Sequence, residues 1–206
     1  MTCDVDNTSH GSVRDRNLES NVGGCRSEEI PIRRVGAEYA NDAVSILKEA
    51  AAWALSRGIV VWRPDELREQ DFREAALLGE LVMGFKDGQP IATMLLQSSD
   101  PIYWPEIAPN TSLFLHKIAV RRAHAGRGWL GRLVEFADQN ARRRDIRWLR
   151  LDTLHGPSLR HLYEQHGFSV IDEPPVMHLG RPMIRMQRSA CHASDVAGST
   201  LPKLLQ

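Results

Sequence analysis

A chain of 206 residues has room for one domain of ordinary size plus loose ends, and hardly for two. Its 26 cationic side chains balance 26 anionic ones, so global charge gives no reason to expect nucleic-acid or membrane binding. The sequence lacks an apolar run long enough for a membrane span, and residues 1–29 lack the apolar stretch of a secretory signal, so a cytoplasmic protein is expected. Cys3, Cys25 and Cys191 lie in the polar ends without Cys-x-x-Cys spacing, which argues against a disulfide framework, a zinc site or a cysteine nucleophile.

Residues 1–28, rich in Ser, Asn, Asp, Gly and Arg, read as a disordered tail, residues 29–188 as the folded domain and residues 189–206 as a flexible tail. Residues 30–35 read as a first strand. Val44, Leu47, Ala51 and Leu55 recur at helical spacing and predict a helix over 38–57, with Gly58 as its left-handed stop. Pro64 is placed to open a second helix, with Phe72, Ala75 and Ala76 on its apolar side. Two apolar runs, 80–85 and 91–96, flank Asp87-Gly88 and predict a β-hairpin. Residues 100–110 carry three prolines beside Tyr103 and Trp104, a loop with an aromatic tip.

A long apolar strand follows over 112–120, interrupted only by His116 and Lys117. Leu130, Leu133, Val134, Ala137 and Ala141 mark one face of a helix over 126–144. Beyond it come a strand (148–153), a helix (157–166), a strand (168–171) and a last strand (176–187) broken by Gly180 and Pro182. Strands in this mixed company predict a single α/β (α+β) sheet covered by helices.

The segment richest in chemistry is the strand-to-helix turn Arg121-Arg122-Ala123-His124-Ala125-Gly126-Arg127-Gly128. Two glycines let the backbone approach a ligand, and the free amides of a helix start favour a phosphate. Arg121, Arg122 and Arg127 are candidates to add charge there. The turn is no Walker loop. It does match Gly126-x-Gly128-x-x-Gly131, but the dinucleotide fingerprint belongs in a parallel βαβ unit near the start of its domain, whereas a hairpin and a strand precede this one.

Ile118-Ala119-Val120 stands before this turn, and Leu162-Tyr163-Glu164-Gln165-His166-Gly167-Phe168 follows downstream. With these two motifs in order, the region from Ile30 to Gln187 resembles the GNAT acyl-CoA N-acyltransferases. Ala123 replaces the Gln or Arg that opens the family signature, Leu130 stands where a small residue is frequent, and Gly156 replaces an Asn that often contacts the cofactor. The resemblance implies a mixed, mostly antiparallel sheet, splayed at the cofactor strand and flanked by about four helices. It implies acetyl-CoA as co-substrate, held by Ile118, Ala119, Val120, Arg121, His124, Ala125, Gly126, Arg127, Gly128, Trp129, Leu130 and Gly131. It further implies direct attack by a primary amine of a small molecule, Tyr163 as the acid that protonates the leaving thiolate, and a homodimer as a frequent family assembly.

A protonated amine must lose a proton before it attacks. His116 alternates with Phe114, Ile118 and Val120 on one face of its strand and is the first candidate base, with Asp152 on the next strand as the second. Tyr103, Trp104 and Glu106 are the candidate acceptor contacts, an aromatic rim with one carboxylate that suits a cationic amine. Each has a plainer reading as a core tyrosine, a strand histidine, a strand-end carboxylate or loop packing. The remaining histidines form no His-x-x-x-His ligand set, so no metal is expected. Two alternatives stay open: a degenerate GNAT that binds CoA without turnover, and a transferase whose donor is a carrier protein or an aminoacyl-tRNA.

Overall fold

Asp87 and Gly88 both have positive φ, 51° and 75°, the two-residue turn that matches the twist of a hairpin. They join β2 (Leu81–Lys86) to β3 (Gln89–Gln97). The computed structural model describes residues 32–171 and 174–190, so the tail predicted over 1–28 lies outside the described residues, as does the other tail beyond Ala190. The remaining strands are β1 (Ile32–Arg34), β4 (Ser112–Val120), β5 (Trp148–Leu154), β6 (Ser169–Val170), β7 (Val176–His178) and β8 (Arg181–Ser189). They form one sheet of order β1-β2-β3-β4-β5-β8-β6, with β7 also paired to β8. Among the described residues only β4 and β5 run parallel, so the sheet is mixed and mostly antiparallel, as expected.

Among the described residues four α-helices cover it: α1 (Ala40–Leu55), α2 (Glu69–Leu77), α3 (Trp129–Arg143) and α4 (Pro157–Glu164). On one face Leu47 and Phe72 of α1 and α2 pack on Met83 and Ala119; on the other, Leu133 and Val134 of α3 pack on Leu96, Leu115 and Met186. Two-sided coverage explains why β2, β3 and the first half of β4 read as nearly unbroken apolar runs. No described helix is long and apolar enough to cross a membrane.

Some boundaries differ from the sequence reading. Pro64 opens only a 3-10 turn, and α2 begins at Glu69 after Leu67 leaves the helical path and is buried. Leu55, at helical spacing with the core face of α1, points to solvent, while Ala54 is buried in its place. The broken last strand is a hairpin, because Leu179 and Gly180 both take positive φ and turn β7 back onto β8. Strand β8 runs through Ser189, and Ala190 is buried with its N–H donating to the Arg147 carbonyl, so the domain extends two residues past its expected end at 188.

Two irregularities of β4 position everything that follows. Its parallel pairing with β5 is confined to Ser112, Leu113 and Phe114 opposite Trp148, Leu149 and Arg150, although both strands continue, and the sheet opens there into a wedge. In addition Thr93 pairs with Ala119 but Leu95 with His116, so Lys117 and Ile118 together stand opposite the one residue Met94. Lys117 carries this bulge with φ of 50°. The bulge also corrects the predicted alternation. Ile118 and Val120 face the α3 core along with Leu113 and Leu115, whereas His116 is on the opposite side of the strand from them.

Gly84 makes a close contact that tests the packing behind the wedge. A Cβ there would sit 3.1 Å from both the Ala92 Cβ and the Trp129 ring. Gly84→Val should cost about 1–3 kcal/mol through overpacking, read as a lowered Tm. An unchanged Tm would show that the indole can move aside.

Candidate active site

The turn after β4 presents backbone to an open space. Gly126 and Gly128 have φ of 74° and 77°, conformations that side chains rarely adopt, and a Cβ at either would meet no atom within 4 Å. Gly128 is the N-terminal cap of α3, so the first amides of that helix have no intrahelical acceptor and face outward for an anion. From here a cleft of about 790 Å³ runs along the β4–β5 wedge, with α4 on its far side.

His124, Ala125, Gly126, Gly128, Trp129, Leu130 and Gly131 line this end of the cleft, as do Ile118, Ala119 and Val120. Trp129 contributes little of its ring, which is buried against Gly84. Arg121 and Arg127 are not on the wall. Arg121 turns toward α1, where its guanidinium lies 3.0 Å from Glu49 and its Nε donates to the Pro90 carbonyl. The arginine of this turn on the wall is instead Arg122, stacked 3.7 Å over the Trp53 ring, with its backbone N–H donating to Glu49 at 2.6 Å. Glu49 therefore ties the turn to α1. Burial alone would raise its pKa, but the bonds from Arg122 and Arg121 outweigh that and hold it below the usual glutamate value.

At the other end His116 stands between two carboxylates. Its Nδ1 is 3.2 Å from Asp152 of β5, and its Nε2 is 3.4 Å from Asp100, at the end of the β3 side of the loop. Asp100 is almost fully buried, and its second oxygen accepts the N–H groups of Ile102 and Tyr103, both at 3.0 Å. Apart from the ring, the two oxygens that face His116 have no hydrogen-bond partner among the described residues. Tyr163 of α4 lines the same region and packs edge-on against Phe168, with ring centroids 6.1 Å apart.

The family model described as "Acetyltransferase (GNAT) family" matches residues 47–168, more than half of the chain. The chain belongs to the GNAT acetyltransferase family. Among solved structures it is similar to a GNAT acetyltransferase from Listeria monocytogenes, at TM-score 0.63 and 18% identity over 77% of this chain and 93% of that one. It is likewise similar to the PaiA N-acetyltransferase of Thermoplasma acidophilum in complex with coenzyme A, at TM-score 0.60 and 15% identity over 77% and 97%. The ribosomal-protein-S18-alanine N-acetyltransferase of Escherichia coli matches at TM-score 0.57 and 18% identity over 84% and 98%. No curated protein sequence matches the chain significantly.

Within this GNAT fold the titratable groups are strongly biased. Burial would depress the His116 imidazole, but the bond to Asp152 and the charges of Asp152 and Asp100 outweigh it and raise its pKa above the ordinary value. The Tyr163 phenol is pushed up, first by burial and then by the charge of Asp152. Asp100, His116 and Asp152 also offer ligand atoms within 4.8 Å of one another, the donor count of a small-cation site. Each carboxylate, however, faces a different ring nitrogen, whereas one ion would use a single nitrogen.

The loop residues chosen from sequence as acceptor contacts part company. Tyr103 lines the cleft, its ring 4.8 Å from that of His178. Trp104 does not. It is 1% exposed, packed on Phe114 and covered by the guanidiniums of Arg150 and Arg185. Glu106 is half-exposed, bonds to Arg185 at 2.6 Å and is absent from the cleft wall. Sequence reasoning missed Asp100, Glu66, Lys117 and Arg181, all on the wall. Asp100-Pro101 marks a turn in the sequence, but nothing local ties that carboxylate to His116.

Proposed function

We propose that this GNAT protein transfers an acetyl group from acetyl-CoA to a primary amine of a small molecule by direct attack. The observation that carries the reading is one continuous cleft, which joins the glycine turn at the start of α3 to His116 and Tyr163 through the β4–β5 wedge. The donor's pyrophosphate would lie on the amides after Gly126 and its pantetheine arm along Ile118 and Val120. Arg122 supplies a cation near the turn in which Ala123 has none.

The acceptor end is walled by three separate segments, contributing Trp62 and Glu66, Ile102 and Tyr103, and His178 and Arg181. Such an enclosure suits a small amine. His116, held in orientation by Asp100 and Asp152, removes the ammonium proton. The amine nitrogen then bonds to the thioester carbonyl carbon, the C–S bond breaks, the Tyr163 hydroxyl gives its proton to the CoA thiolate, and the second proton lost from the nitrogen restores the phenol. A thioester is already activated, so no acyl-enzyme is required.

The test is calorimetric titration with acetyl-CoA, with free CoA as control, followed by thiol release over a panel of amines and N-terminal peptides. Micromolar binding with turnover on small amines is expected. Binding without thiol release would leave a CoA-binding module. No binding up to millimolar would direct attention to carrier-bound donors. Turnover confined to peptides would overturn the small-molecule acceptor.

Two further results are expected. Gly126→Val should weaken acetyl-CoA binding at least tenfold, because its side chain would occupy the space above the loop in a left-handed conformation; unaltered affinity would sink the loop assignment. Dialysis against a chelator should leave kcat unchanged, whereas a loss restored by a divalent cation would make Asp100, His116 and Asp152 a metal site.

A further inference from the structure

We infer that the acceptor is an aminocarboxylate, whose amine enters beside His116 and Asp152 and whose carboxylate is received by Lys117 and Arg181. The inference rests on the acyltransferase reading above and concerns the acceptor end of the same cleft.

The acceptor end divides by charge. On the β4–β5 side, Asp100 and Asp152 share the one imidazole of His116, so the trio keeps a net negative charge even when the ring is protonated. That side attracts an ammonium. Across the cleft stands Arg181, at the start of β8. One of its terminal nitrogens donates to the Val61 carbonyl at 2.9 Å, and the other to Glu66 at 2.6 Å. Its third donor, Nε, is buried without a partner among the described residues. Glu66 is shared, with one oxygen accepting from Arg181 and the other from the Arg63 N–H at 2.6 Å, and it acts on Lys117 only through its charge.

That second cation is Lys117. The bulge of β4 throws this residue out of the strand's alternation with φ of 50°, and its side chain lines the cleft. The ammonium lies 5.8 Å from the centre of the Trp62 ring and makes no hydrogen bond or salt bridge among the described residues. Burial is the main force lowering its pKa, Arg181 adds to that, and the attraction of Glu66 and Asp152 does not make up the difference. A part-buried ammonium that lines the cleft without a hydrogen-bonded partner among the described residues, on the wall that also carries the Arg181 guanidinium, suits an anion. A carboxylate in the cleft gives the Lys117 ammonium an acceptor and lies in the positive field of the Arg181 guanidinium.

The geometry separates the two ends of the substrate. An amine without an anionic group would leave the Lys117 ammonium without an acceptor, while an amino acid fills both ends at once. Discrimination on this basis is steep, because a buried polar group left unpaired penalises the analogue that lacks its partner.

The experiment compares the twenty amino acids with their carboxamides, which keep the amine and lose the negative charge, using acetyl-CoA and thiol detection. At least one amino acid should exceed its carboxamide at least tenfold in kcat/KM. Lys117→Met should remove that preference, raising KM for the amino acid at least tenfold and leaving KM for the carboxamide and the affinity for CoA little changed. A merely structural role for Lys117 would lower both substrates alike. Equal rates for amino acid and carboxamide would overturn the inference, as would CoA binding with no amino acid acetylated. Failure to bind CoA at all would instead remove the acyltransferase reading on which it stands.

Discussion

Tyr163→Phe is expected to lower kcat by about 10²-fold while leaving acetyl-CoA affinity nearly unchanged, because the substitution deletes a proton donor and almost no volume. Burial and the nearby Asp152 charge raise its pKa, so the phenol keeps its proton across the working range and is in the protonated form when the C–S bond breaks. The measurement is steady-state thiol release together with calorimetric titration of the variant. Equal turnover would reduce Tyr163 to a core tyrosine packed on Phe168. Parallel loss of CoA affinity would assign it to donor binding.

The second large effect concerns His116. Because Asp152 and Asp100 raise its pKa, the ring is protonated at pH values where an unperturbed histidine would already be neutral, and a protonated ring accepts nothing. Activity should therefore climb with pH through a midpoint above 6.5, the ordinary histidine value. Removing one carboxylate lowers the pKa of the cation it stabilised, so Asp152→Asn should move that midpoint downward. Asp100→Asn should move it the same way, with the remaining carbonyl oxygen still accepting the amides of Ile102 and Tyr103. His116→Gln should abolish this limb and cost about 10²–10³-fold in kcat/KM. The acceptor amine has its own ionisation, but that limb would not move between the variants. A pH profile identical in wild type and Asp152→Asn would remove His116 from proton transfer.

The depth to which the sequence reaches differs along the chain. Local rules were sufficient for the Asp87-Gly88 hairpin, the stop at Gly58, the span of β4 and the amphipathic α3, since each depends on neighbours in the sequence: a turn residue, a cap, a period of 3.6. The glycine turn before α3 was legible for the same reason. Gly126 and Gly128 are where backbone must take positive φ, and the amides follow from the helix start.

What the sequence could not supply is whatever depends on a partner far along the chain. Three arginines look alike around the turn, yet Glu49 on α1 draws Arg121 away and leaves Arg122 facing the cleft. Trp104 and Tyr103 are adjacent, and only the packing of Phe114, Arg150 and Arg185 decides that one ring is core and the other wall. Strict alternation put His116 on one face with Ile118 and Val120, and a single extra residue opposite Met94 separates them. A bulge is stabilised by the sheet around it, with no composition of its own to announce it.

Composition, turn chemistry and periodicity thus determined an α/β sheet covered by helices, the long apolar strand β4, and a glycine turn whose amides at the start of α3 favour an anion. The tertiary structure alone decided the chemistry at the far end of the cleft. Asp100, His116 and Asp152 come from a loop and two strands, and Lys117 and Arg181 from β4 and β8. Their pKa values and unmet hydrogen bonds exist only when these segments are buried together, because desolvation and ion pairing are properties of the packed interior.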